Sequence, residues 1–388
     1  MRYLPFLLLF FSACRSQRPV TSLSHIEHIE HSLVAIGQTG MDSGASQTIL
    51  QRMDASHVPG LSVAVFDSGH IIWARGYGLK DKASDQPVDT ATLFQAASIS
   101  KPVSSSAMFR LVEKNVLSPD EDVNIKLRRW KVPDNEFTAT EKVTLRRIVE
   151  HMAGLGVHGF AGYNPTAPLP TLPQVLDGTP PANSPPVRVI VKPGTEEVYS
   201  GGGFVLMQLL MEDVTGRPFG ALMNELVLQP AGMTQSSFDL VLPEKMAIHE
   251  ANGYRENGEM VDGGHHVYPE SAPAGLWTTP SDLARFMLNI GSSYRGSGGV
   301  LQQATARTML TRVPGGGGQG FGLDGSGQTL RFRHNGGNAG FSCYAVSFAE
   351  IGRGVIIMTN SDTGDQVIRE LVRAITREYG WSGLLHGE

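Results

Sequence analysis

Cysteine is nearly absent. Cys14 and Cys343 are the only two in 388 residues, so a disulfide framework is excluded and a single Cys14–Cys343 bridge is the most the chain can make. Cys343 lies in the apolar run Phe341 to Phe348, which reads as a buried strand where cysteine behaves as a small hydrophobe. No block of like charge exists, and 32 basic against 37 acidic residues leave a net charge of −5. Without a basic stripe to hold phosphates, nucleic acid is excluded as a partner. After the first dozen residues no apolar run approaches the about 20 residues that cross a bilayer. The sequence has no Gly-x-Ser-x-Gly elbow and no glycine followed by lysine, which removes the α/β-hydrolase and P-loop readings; Gly315 to Gly318 is then a flexible loop. His265 and His266 are adjacent and would face apart on a strand, so no zinc set is expected, nor any other metal or cofactor. What is plentiful is apolar surface at 41%, with 45 glycines and 23 prolines scattered through it. That composition fits a loop-rich globular enzyme.

The first residues have the layout of an export signal. Arg2 gives a positive start, Tyr3 to Phe11 is apolar but too short for a permanent anchor, and the small residues Ser12 and Ala13 precede Cys14. Residues 1–13 therefore read as a signal peptide, and the arrangement resembles a bacterial lipoprotein leader. That resemblance implies lipidation of Cys14, membrane association through it, and export to the periplasm or outer cell envelope. Residues 14–41 are expected to be a linker. Within it His25, His28 and His31 recur every third residue and offer a metal-binding face, but a solvated segment is the better reading. Residues 42–388 form one domain.

Ser46 to Ser56 reads as a helix. Leu61 to Phe66 and His70 to Tyr77 read as a hairpin across Asp67-Ser68-Gly69. Helical patterns follow at Ser98 to Asn115, Thr144 to His151, Phe204 to Thr215 and Gly220 to Leu228, with a proline-crowded lip or loop at Tyr163 to Val187. Strands return at Leu330 to Arg333, Phe341 to Phe348 and Val355 to Thr359, and Gln366 to Tyr379 closes the chain as a helix. Strands at both ends with helices between predict an α/β fold, one sheet with a helical insertion.

Chemistry concentrates in three places. Ser98-Ile99-Ser100-Lys101 is the single Ser-x-x-Lys, a spacing that stacks hydroxyl and amine on one helix face. Pro102 belongs in a first turn, so the helix starts near Ser98. There the free N–H groups disfavour a charged lysine and stabilise an oxyanion, and a desolvated Lys101 can take the serine proton. Tyr199, in Val198-Tyr199-Ser200-Gly201 after Pro193-Gly194-Thr195, can project a phenol into a cleft, where a neighbouring lysine would favour the phenolate. Arg333-His334-Asn335-Gly336-Gly337-Asn338 lets a substrate backbone lie close to a strand and frees the Gly337 N–H for an oxyanion; a plain β-turn is the alternative.

Together and in this order, these motifs resemble those of the β-lactamase-related serine hydrolases, which include class C β-lactamases, D,D-peptidases and family VIII carboxylesterases. His151-Met152-Ala153-Gly154-Leu155 and Ala274-Gly275-Leu276-Trp277-Thr278-Thr279 extend the similarity. The resemblance implies an antiparallel sheet flanked by helices plus an α-helical subdomain. It implies Ser98 as acylated nucleophile, Lys101 as base, Tyr199 as proton shuttle to the leaving group and His334 in the place of a third-motif lysine. The Ser98 and Gly337 N–H groups would form the oxyanion hole, and Gly201, Asn335, Gly336 and Asn338 would line the substrate site. The substrate would be a small ester, amide or peptide. Gly201 stands where class C β-lactamases have asparagine, and His334-Asn335-Gly336 where they have Lys-Thr-Gly. These departures favour an esterase or D-peptidase over a class C-like β-lactamase. A non-catalytic penicillin-binding or cell-wall-binding lipoprotein is the reading from another class. Protonated His334 is expected to improve β-lactam turnover as pH falls towards 6.

Overall fold

The computed structural model describes residues 22–37 and 42–384; the expected leader and Cys14 lie outside them. Among the described residues nine strands occur in chain order. β1 (Gly60–Asp67), β2 (His70–Asp81) and β3 (Gln86–Pro87) come from the N-terminal part. β4 (Phe94–Gln95) and β5 (Trp277–Thr278) pair in a small ribbon. β6 (Gly322–Asp324), β7 (Arg331–Asn338), β8 (Phe341–Phe348) and β9 (Arg353–Thr359) come from the C-terminal part. The main sheet has the order β3-β2-β1-β9-β8-β7-β6, antiparallel throughout, so the two ends of the chain meet at β1 and β9. The β1–β2 turn uses positive φ at both Ser68 and Gly69, the geometry that matches strand twist in a two-residue hairpin.

The two-residue alternation of strands sorts side chains into two cores. Ala64, Phe66, Cys343, Ala345, Ile356 and Met358 face one of them. Leu61, Val63, Val65, Tyr344, Val346, Val355 and Ile357 face the other. Both faces of the central strands are covered, which is why they read as unbroken apolar runs. The free Cys343 is fully buried, as its run predicted.

Six helices carry most of the packing: α1 (Ser22–Glu30), α2 (Ile49–Ala55), α3 (Ser100–Glu113), α4 (Gly201–Thr215), α5 (Pro280–Arg295) and α6 (Gly364–Tyr379). α6 is strongly amphipathic. It buries Val367, Ile368, Leu371, Val372 and Ile375 under the sheet and stops at Gly380 in the left-handed conformation. α5 covers the opposite face; Thr279 caps it by accepting the Asp282 N–H, and Pro280 occupies its first turn. α3 and α4 belong to the core on α5's side of the sheet, which extends into the helical region.

Three segments differ from the sequence reading. The described part of the expected linker is not a tether, because Ile26, Ile29 and Leu33 are buried in the core beneath α6. His25 and His28 both donate to Glu378 at the end of α6, at 2.6 and 3.3 Å, and among the described residues no group is arranged to hold a metal. The proline-rich stretch contains a helix, Leu172–Asp177, fixed by a reciprocal Thr171–Gln174 cap and by burial of Leu172, Val175 and Leu176. Finally, β7 continues to Asn338, so the His334 motif lies within a strand rather than in a turn before one.

Candidate active site

Ser98 sits in a 3₁₀ turn, Ala97–Ile99, that runs directly into α3. Ala97 has φ +48°, a left-handed conformation that costs an L-residue on the order of 1–3 kcal/mol. The turn is held in place from both sides. The Ala96 N–H donates to the Leu276 carbonyl at 2.8 Å. Across from it Gly336 of β7 packs so closely that a Cβ there would lie 2.3 Å from the Ala96 oxygen. The Ser98 N–H therefore stands at a helix start, where intrahelical acceptors are lacking.

One helical turn on, Lys101 is 1% exposed. Its Nζ lies 2.9 Å from Ser98 Oγ and 3.2 Å from the Pro273 carbonyl. It also lies 4.8 Å from the centre of the Tyr199 ring. Burial without a carboxylate partner pushes the amine down to about 7. The free amine can then accept the Ser98 proton while an N–H stays on Pro273.

Tyr199 precedes Ser200, the cap of α4, whose hydroxyl accepts the Gly203 N–H at 2.9 Å and donates to the Gly156 carbonyl at 2.7 Å. Burial raises the Tyr199 pKa, and its hydrogen bond with Ser98 offsets this only in part. The group is a phenol, not the phenolate that a charged lysine would have favoured. Three histidine rings surround it: His151 at 4.3 Å, His158 at 4.6 Å and His334 at 6.5 Å between centroids.

His334 corrects a second expectation. Burial first, then the Lys101 charge, hold its pKa well below the ordinary imidazole value, so it stays neutral at pH 6 and supplies no cation for a substrate carboxylate. Its Nδ1–H donates to the Asn335 carbonyl at 2.6 Å, which leaves Nε2 as an acceptor. His151, also depressed chiefly by burial, has the opposite tautomer: Nδ1 accepts the Ser200 N–H at 3.1 Å and Nε2 carries the proton.

The cleft has a volume of about 460 Å³ and brings Ser98, Lys101, Tyr199 and residues His334 to Asn338 together. The β6–β7 ladder stops at the Gly322–Arg333 pairing, so β7 from His334 onward offers an edge that no described strand pairs. At Gly337 no described atom lies within 4 Å of where a Cβ would be. Asn338 is more committed than expected, its amide donating to Gln95 and the Ala274 carbonyl at 2.7 and 3.1 Å. Gly201 does not line the cleft; a Cβ there would lie 3.0 Å from both the His158 carbonyl oxygen and the Phe160 ring. His158, Phe160, Glu150, Glu197 and the Gly317–Gly322 loop also form walls. Sequence reasoning gave none of them a role, since they come from loops whose approach no local pattern encodes. Arg333, the other lysine or arginine side chain among the described residues of the wall, donates to Asp324 at 2.5 Å.

The β-lactamase family profile matches residues 45–377. The chain is 28% identical over 230 residues to an unguisins hydrolase of Aspergillus campestris, covering 57% of this chain and 41% of that one. It is 28% identical over 237 residues to esterase EstB of Burkholderia gladioli, covering 60% of each. The chain thus spans about half the length of these curated relatives. Among solved structures, D-amino acid amidase from Ochrobactrum anthropi superposes with a TM-score of 0.68 at 21% identity, covering 85% of this chain and 98% of the amidase.

Proposed function

The chain belongs to the β-lactamase family, and from that premise we propose that it is a serine hydrolase acting through an acyl-enzyme on the ester or D-amino-acid amide bonds of substrates that carry no carboxylate. The observation that carries this reading is the Lys101 amine, buried and 2.9 Å from Ser98 Oγ with a pKa near neutrality. Lys101 takes the Ser98 proton as Oγ attacks the carbonyl carbon, and the oxyanion forms against the Ser98 and Gly337 N–H groups. The proton then passes by way of the Tyr199 phenol to the leaving oxygen or nitrogen. Water repeats the sequence to release the acid.

The preference for substrates without a carboxylate rests on what surrounds the nucleophile. His151 and His334 are neutral, Lys101 is largely so above pH 7, and Arg333 is bound to Asp324. A substrate carboxylate, such as that of a β-lactam, forgoes a charged hydrogen bond of about 1.5–3 kcal/mol. The similarity to an esterase and to a D-amino acid amidase supports both bond types. p-Nitrophenyl butyrate, D-alanyl p-nitroanilide and nitrocefin, assayed side by side at pH 7.5, test the proposal. Butyrate or anilide should be turned over with the higher kcat/KM and nitrocefin poorly, and Ser98→Ala should abolish turnover and fluorophosphonate labelling. Nitrocefin as the best substrate, or a label on another serine, overturns it.

Export belongs to the same proposal and rests on Arg2, the apolar run and Cys14 in the sequence. Full-length protein made in a bacterium should fractionate with membranes, and Cys14→Ala should release it; uncleaved cytoplasmic protein would remove the claim.

A further inference from the structure

A second cleft, about 860 Å³ in volume, adjoins the first. The two share one stretch of β7, Asn335 to Asn338, and one side chain opposite it, Phe160. Phe160 is fastened where it stands. The segment before it is bound to the first turn of α4 by the Gly201 N–H donating to the His158 carbonyl and the Gly202 N–H to the Val157 carbonyl, both at 3.0 Å. Its ring meets the vacant Cβ position of Gly201 at 3.0 Å, so the glycine is what admits the ring so close to the start of α4. Beyond Phe160 the second cleft offers apolar wall from Ala161, Val261 and Phe341, and an Arg255–Asp362 ion pair at 3.2 Å.

We propose that Phe160 is a specificity gate, which closes the Ser98 cleft against the neighbouring one and confines the acyl group to short chains. The inference rests on the hydrolase reading above. There the leaving group departs on the Tyr199 side, so the acyl chain runs the other way, along the β7 edge from Gly337 towards Asn338. Its path out of the first cleft is the gap between that edge and Phe160. With the ring in place a short acyl group fits and a longer one meets the ring. Without the ring the two clefts join, and the chain reaches the Ala161–Val261–Phe341 wall.

The test is the ratio of kcat/KM for p-nitrophenyl octanoate to that for p-nitrophenyl acetate, in the native protein and in Phe160→Ala, Phe160→Leu and Phe160→Trp. A ratio is independent of the fraction of folded enzyme. Shape changes in an apolar pocket discriminate roughly tenfold to a few hundredfold, so Phe160→Ala should raise the ratio by about tenfold or more. Phe160→Leu should raise it less, and Phe160→Trp should lower it. Should the alanine variant fail to fold, the opposite signs for leucine and tryptophan carry the same information. An unchanged ratio in active variants overturns the gate alone. A native protein that cleaves no ester overturns the hydrolase reading on esters and the gate with it.

Discussion

At the scale of single residues, the pH response distinguishes the titratable groups of the cleft. Lys101 is an amine held down to about 7 by burial, so it is charged and unable to accept a proton below that value and neutral above it. The kcat/KM for a neutral ester should therefore rise about tenfold per pH unit below 7 and flatten above it. Tyr199 is shifted upward by burial, so its ionisation should add no second limb below the ordinary tyrosine range. A flat profile from pH 5 to 9 would deny Lys101 its role as base. Because His334 stays neutral, any nitrocefin turnover should fall, not improve, as pH drops to 6. The positions of Ser98 and Lys101 were legible because a three-residue spacing on a helix dictates proximity. The charge states of Tyr199 and His334 were not. They depend on how many rings and walls converge around them, and His151 and His158 arrive from a loop some 40 residues before Tyr199.

At the scale of elements, β7 shows what sequence pattern misses and why. Glycines weaken a strand signature, so the alternating Leu330-Arg331-Phe332-Arg333 read as strand and residues 334–338 did not. The ladder to β8 carries the strand on to the Asn338–Phe341 pairing. Its two glycines have separate jobs. At Gly336 a Cβ would lie 2.3 Å from the Ala96 oxygen and 2.8 Å from Cys343 Sγ, while at Gly337 it would meet open space. Gly336→Ala must move β7 away from the Ser98 turn, and a displacement near 1 Å at a catalytic site costs about a hundredfold. We expect Gly336→Ala to lose about that much in kcat/KM and also to lower the Tm, whereas Gly337→Ala should keep the Tm. Thermal unfolding of the two variants side by side checks this; equal Tm values would mean that the close approach to Ala96 is not needed. The helix Leu172–Asp177 was hidden for a different reason. Prolines flank it densely, and its three buried side chains make sense only against the core they fill.

At the scale of the whole molecule, the sheet separates chemistry from support. The cleft lies on the side of α3 and α4, while α1, α2 and α6 cover the other face. The segment after the expected leader was read as a linker because nine residues of helix with two histidines carry too weak an apolar pattern to announce a partner. Its role becomes visible only beside α6, whose Glu370 accepts Arg52 Nε at 2.7 Å, a second Arg52 N–H at 2.8 Å and the Ile36 N–H at 3.4 Å. Glu370 is 1% exposed, so this buried pair depends on the N-terminal segment to complete its cover. Ile26, Ile29 and Leu33 add three nearly full apolar burials, each contributing about 1.5–3 kcal/mol before correction for a compact unfolded chain. A protein beginning at residue 42 should therefore be less stable than one beginning at residue 22 by on the order of 5 kcal/mol, a Tm lower by roughly 10 °C. At 20 °C, where both remain folded, the two should hydrolyse p-nitrophenyl butyrate with similar kcat/KM, because Ile26, Ile29 and Leu33 pack on the face away from Ser98. Matching Tm values would return residues 22–37 to the status of a tether. A loss of turnover in the shorter protein while it is still folded would show instead that the two faces of the sheet are coupled.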